Sequence, residues 1–242
     1  MWGNLMLNLL LAHFVGDFVF QSDVLSRDKK ANNFTSWFLY VHTFVIAILS
    51  WAAIGYLDLW PLALVIGATH LLIDGIKSCV KKDSLCLFVS DQILHIVILI
   101  VVANICVDCC GWASPGWMTD QALKAVAVAN AAIFCWKPAN ILIKYILQYC
   151  KMVVPEDDTT LFHAGKLIGT LERWLILTFL LIGRYEVIGF LITAKSIIRF
   201  GDKDKSIDGK QTYKDQTEYF LAGTLLSISF AVACGLMLRI IV

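Results

Sequence analysis

The sequence predicts an all-α fold: a polytopic transmembrane helical bundle of about eight membrane segments plus one interfacial amphipathic helix. Three observations predict it. Hydrophobic residues make up 59% of the 242-residue chain and charged residues 16%, where soluble domains run nearer 45–50% apolar. The apolar residues gather in runs that meet the requirement of about 20 residues for a bilayer span. Pro115 and Pro155 fall between those runs and Pro61 at the very start of one, where helix breakers belong.

In chain order the runs cover 2–21, 36–57, 60–79, 85–107, 118–136, 166–183, 185–199 and 217–241. The first lacks a basic leader and carries Asp17 instead of ending at a small-residue cleavage site, so it reads as a retained span. The seventh is short and reads as tilted or partly re-entrant. Lys137, Lys144 and Lys151 recur every seven residues, which predicts an amphipathic helix lying on the membrane surface. Residues 1–110 form a half with four spans and residues 111–242 a second half, within one integral membrane unit.

Basic residues orient the bundle. Arg27, Lys29 and Lys30 follow the first span, and Lys77, Lys81 and Lys82 follow the third. Further lysines sit at 151, 166, 203, 205, 210 and 214, whereas 56–61 and 106–117 contain no Lys or Arg. By the positive-inside rule the basic connections are cytoplasmic and both termini external. A net charge of +1 excludes a nucleic-acid footprint. Of eight cysteines only Cys106, Cys109 and Cys110 cluster, on the expected external side, where either one disulfide or three free thiols are open.

The chemistry concentrates in the first four spans. His13, Asp17 and Gln21 are spaced by four, so one helical face carries all three. Ionisable groups inside hydrocarbon are costly and ordinarily face a protein interior with a task there. The third span repeats the pair as His70 and Asp74, with Lys77 one turn on, and the second supplies His42. In the fourth the order is reversed, Asp91 with Gln92 and then His95. Because that span runs the opposite way, reversal restores the same depth order. At about 1.5 Å per residue the aspartates lie roughly 8 Å inside the cytoplasmic ends, with His13, His70 and His95 a turn deeper and His42 near the aspartates. Imidazole and carboxylate together suit a divalent transition metal, zinc first and iron or manganese next, and seven such groups serve one or two ions. Gln21, Lys77 and Gln92 would then orient ligands or meet a substrate. Structural His–Asp hydrogen bonds and a proton or ion relay are the competing readings. His163, beside Asp157 and Asp158, reads as solvated.

The H-x-x-G-D-F-x-x-Q run at His13–Gln21, the T-H-x-x-x-D-x-x-K run at Thr69–Lys77 and the D-Q-x-x-H run at Asp91–His95 together resemble a bacterial inner-membrane family, domain of unknown function 3307. The resemblance covers about the first 110 residues. It is similar in motif style to membrane-bound metal-dependent hydrolases, which implies a metal site and a bacterial inner membrane more than any one reaction.

In the second half, Glu172 and Arg173 lie within the sixth span, Lys195 and Arg199 share a face of the seventh, and Glu218 opens the last. These cations read either as snorkelling charges with an Arg–Glu lock, or as an anion pocket of Arg173, Lys195 and Arg199 supported by Glu172 and Glu218. A metal cluster beside such a pocket predicts hydrolysis of a phosphate-bearing lipid at the cytoplasmic leaflet. The alternatives are a metal-ion or proton transporter, and a non-catalytic subunit with a structural metal. Membrane lipids are the expected partners.

Overall fold

Helix α1 (Trp2–Phe14) passes without a break into a π-helical turn, Val15–Phe20, at the first of the polar motifs. The structure, a computed structural model, describes residues 1–80, 82–152, 160–201 and 210–241, without the side chains at 23, 160–164, 198–201, 210–218 and 220. The chain continues through α2 (Asp23–Asn32), α3 (Trp37–Ile54), α4 (Trp60–Ser78) and α5 (Leu85–Asn104). After these come α6 (Asp120–Tyr149), α7 (Thr160–Leu181), α8 (Tyr185–Gly201) and α9 (Lys210–Ile241). No strand occurs among the described residues. Among the described residues six helical stretches are long and apolar enough to cross a membrane: Trp2–Phe20, Trp37–Ile54, Leu57–Ser78, Leu85–Cys109, Asp120–Tyr149 and Leu221–Ile241. The segments read as a fifth span and a surface helix fall largely on one 30-residue helix, α6, with Pro138 inside it. Two compact units result, Met1–Ile133 and Phe134–Val242.

In the first unit α1, α3, α4 and α5 form a ring, α1 and α4 each lying between α3 and α5. Local chemistry sets the helix ends. Ser22 and Ser84 cap α2 and α5, their hydroxyls accepting from the amides of Leu25 and Leu87. Helix α3 stops at Gly55, whose φ of 78° is open to glycine at little cost. Close approach of α3 and α4 depends on Gly67, where an added Cβ would lie 3.0 Å from the Cβ of Ala47. At one end of the ring Lys30 pairs with Asp83 at 2.6 Å. At the other the Trp112 indole donates to the Ile54 carbonyl at 2.9 Å. The ring is filled towards the Trp112 end by Leu5 and Leu9 of α1, Ile46 and Ile54 of α3, Ala63 and Ile66 of α4, and Leu99, Val102 and Ala103 of α5. All eight cysteines are free; Cys106 is buried while Cys109 and Cys110 are exposed, so the cluster holds no disulfide.

In the second unit α7 packs on α9 and on α8. Ile176 and Leu180 meet Ile188 and Ala231 in its core.

Candidate metal centre

The polar motifs of α1, α3, α4 and α5 converge on the axis of the ring. His13, His42, His70, Asp74, Asp91 and His95 are all buried, none more than 5% exposed, and the Asp17 side chain is 10% exposed. A four-residue spacing puts His70 over Asp74 on α4 and Asp91 under His95 on α5. On α1 the π-helical turn intervenes, and it aims the Asp17 carboxylate across the ring at α3 and α4. Its Oδ1 lies 3.3 Å from Nε2 of both His42 and His70.

Two overlapping sets emerge. In the first, His42 and His70 stand 3.0 Å apart through their Nε2 atoms. Asp74 Oδ2 lies 3.7 Å from His42 and 3.8 Å from His70. With Asp17 Oδ1 this makes a quartet. In the second, His95 Nε2 lies 3.7 Å from Asp74 Oδ1 and 3.5 Å from Asp91 Oδ1. Asp74 thus serves both sets, one oxygen to each. His13 flanks the quartet, 3.8 Å from Asp17 Oδ2.

These separations can be tested against an ion. Ligand atoms about 2.0–2.2 Å from a tetrahedral metal stand roughly 3.3–3.6 Å apart, and the observed spread brackets that range. Among the polar atoms that are buried yet lack a hydrogen-bond partner are Asp17 Oδ1, Asp91 Oδ1 and His95 Nε2. Buried polar atoms are nearly always satisfied. Three of the seven exceptions among the described residues are ligand atoms at this one centre, which fits a site that takes a cation.

The surrounding residues complete the geometry. Lys77 pairs with Asp91 Oδ2 at 2.6 Å. Gln92 donates to the same oxygen at 3.1 Å, and its Oε1 lies 3.4 Å from His13 Nε2. Gln21 differs from its expected place on the α1 face. The helix ends at Phe20, and Gln21 is extended, at φ −89° and ψ 111°. It reaches the centre by accepting from Lys29 Nζ at 2.9 Å. Lys29 itself was not among the expected site residues. It descends from α2, is 6% exposed, and pairs with Asp74 Oδ2 at 2.5 Å. Nothing in the sequence separates it from the other loop lysines.

Arg173 occupies different surroundings from an open anion pocket. It is 1% exposed, and its Nε donates to the Cys135 carbonyl at 2.6 Å. Its terminal nitrogens donate to Ser227 at 2.8 Å, Asn140 at 2.7 Å and Thr170 at 3.1 Å. Protein acceptors therefore take four of its five N–H groups. Pro138 lacks an amide and crowds the carbonyls one turn earlier in α6, and the guanidinium meets a carbonyl of that turn. Lys195 pairs with Glu172 at 2.5 Å. The side chains of Arg199 and Glu218, like His163, lie outside the described residues.

The fold and the centre define the class: a helical membrane protein with a buried histidine–aspartate cluster that could hold a metal ion. Residues 5–123, which hold all seven candidate ligands, match the family model described as "Protein of unknown function (DUF3307)", and this segment belongs to that family. No curated protein and no solved structure matches the chain.

Proposed function

We propose that the chain is a metal-dependent hydrolase acting on a phosphate-bearing lipid or similar membrane substrate at the cytoplasmic leaflet of a bacterial inner membrane. The observation that carries this is the buried set of seven ligand-type side chains with three unsatisfied ligand atoms. A divalent ion there, with zinc first and iron or manganese next, would polarise a phosphoryl oxygen and acidify water. His95 Nε2 and Asp91 Oδ1 face each other at 3.5 Å without hydrogen-bond partners, placed to accept the proton of an attacking water. Lys77 fixes Asp91, and with a side chain one-third exposed it is the cation that a phosphoryl oxygen entering from outside would meet.

A transporter needs a path through the bundle, and the apolar filling from Leu5 to Cys106 favours a site open to one side only. The basic residues of α2 and of the α4–α5 connection support placing that side in the cytoplasm. We further propose that α7 and α8 join the six apolar stretches as membrane segments, which puts both termini outside.

The test is turnover by the full-length protein, purified in detergent and supplied with zinc, manganese or iron, on short-chain phosphatidic acid and on a phosphodiester lipid. Metal-dependent release of the soluble product, lost in His95→Ala, is expected. Metal-loaded protein that cleaves neither lipid but carries the ion across liposomes would replace this reading with the transporter.

A further inference from the structure

A short helix is ordinarily held to its neighbours by a buried apolar face, and α2 has none. Among its described side chains Lys29 alone is buried, while Val24 is 74% exposed and Leu25 half-buried. What seats the helix is polar. The Lys29 ammonium donates to Asp74 Oδ2 on α4 and to Gln21 Oε1. Nearer the surface Lys30 pairs with Asp83, and Asp28 accepts from the Ser36 hydroxyl at 2.6 Å. Lys77, which pairs with Asp91, belongs to α4 and ties no separate helix to the ring.

Both ends of α2 are joints. Gln21 and Ser22 are extended, with φ of −89° and −83°. At the far end Asn33 has φ 50°, in the left-handed region that few side chains adopt. Just beyond it the Phe34 ring fills the space that a Cβ on Gly75 of α4 would need, so the chain is pinned again. Element-terminal residues of this kind absorb the dihedral changes of a hinge.

The seat of Lys29 is itself a ligand atom. Asp74 Oδ2 lies 3.7 Å from His42 Nε2 and 3.8 Å from His70 Nε2, and the ammonium stands 2.5 Å from it. A divalent ion drawn to these three atoms meets a second cation on the same oxygen, where burial screens their repulsion little. Asp74 Oδ1 is turned to His95 and offers the ammonium no second place. Parted from the carboxylate, Lys29 would be left with the neutral amide of Gln21. A strongly hydrated ammonium is held this deep only against a carboxylate, so water becomes its better partner.

We propose that Lys29 is a latch which an ion at the centre displaces, so that α2 is a lid closed over the metal-free centre and released from the loaded one. The inference rests on the metal reading above. At ten residues α2 is too short to persist as a helix alone in water, so once released it should fray.

The experiment is hydrogen exchange at the amides of residues 23–32 in the full-length protein in detergent, read by mass spectrometry with chelator and with zinc. Zinc affinity is measured beside it by competition with a chelating dye. Zinc should speed exchange in α2 by roughly tenfold or more while the amides of α4 stay slow. Lys29→Met should exchange fast without metal, show no further response, and bind zinc about tenfold tighter. Lys30→Met, which removes only the surface pair, should keep the zinc response. Should Lys29→Met not fold, the two measurements on native protein decide alone. Bound zinc with exchange in α2 unchanged or slowed would overturn the lid and leave the metal reading standing. A folded Lys29→Met that binds zinc no tighter, or a Lys30→Met that loses the response, would overturn the role of Lys29. No zinc on either native protein or Lys29→Met would instead remove the metal reading, and the lid with it.

Discussion

Asp17→Asn gives the sharpest separation between a metal centre and a hydrogen-bonded polar core. The substitution keeps size and shape and removes one ligand charge from the quartet, where Oδ1 lies 3.3 Å from two histidines. An ion at about 100 times its dissociation constant stabilises the protein that binds it by about 2.7 kcal/mol. If losing a ligand weakens binding by about 100-fold, the same ion concentration stabilises the variant by only about 0.4 kcal/mol. For a chain of this size roughly 2–4 °C accompanies each kcal/mol, so the metal-induced rise in Tm should fall from about 5–11 °C to about 1–2 °C. Without metal the order should not favour the native protein. The amide replaces a carboxylate with a buried oxygen that has no hydrogen-bond partner, so the metal-free variant should melt no lower than metal-free native protein. Thermal melts in matched detergent, with chelator and with zinc, measure both effects on one preparation. A metal-free variant that melts well below native protein, with no metal-induced rise in either, would refute the reasoning and make Asp17 a structural partner of the histidines.

Two further expectations can be checked independently. Arg173→Lys keeps the charge but cannot span the four acceptors; losing two bonds at roughly 0.6–1.7 kcal/mol each in a membrane interior should cost about 1–3 kcal/mol, read as a lowered Tm with unchanged metal content. Unchanged stability with lost affinity for phosphate-bearing lipids would return Arg173 to an anion-binding role. Cysteines introduced at Arg27 and Asp58, both exposed, should label from opposite sides of the membrane, Arg27→Cys only from the cytoplasm; the reverse pattern would invert the orientation.

The centre was legible in the sequence because its signal is periodic and directional. Four-residue spacing places His70 with Asp74, and reversal on α5 reports an antiparallel neighbour at matched depth, so helix geometry alone brings the set together. Parts that depend on departures from ideal helix were not legible. The π-helical turn at Val15–Phe20 re-aims Asp17 and ends the helix before Gln21, and no residue type announces such a turn. Lys29 meets Asp74 across 45 positions, and as a loop lysine it looks like any topogenic charge. The surroundings of Arg173 were hidden for a different reason. Its acceptors are a backbone carbonyl and neutral side chains, and such groups leave no charge pattern to read.

The two units bury charge by opposite devices, and the contrast bears on what each can do. In the second unit a single guanidinium is held by neutral acceptors, with no carboxylate in hydrogen-bond contact among the described residues. Every such bond is directional, so the arrangement fixes α6, α7 and α9 in register and resists rearrangement. In the first unit carboxylates, ammoniums and imidazoles are packed with ligand atoms left unsatisfied. A structural polar core has reason to avoid those orphans, since each costs about 1–3 kcal/mol. A site that must exchange a water, an ion or a substrate oxygen needs them, because the missing partner is the ligand. The orphans at the centre favour the first unit as the place of exchangeable chemistry, and the bonds around Arg173 hold helices of the second unit together.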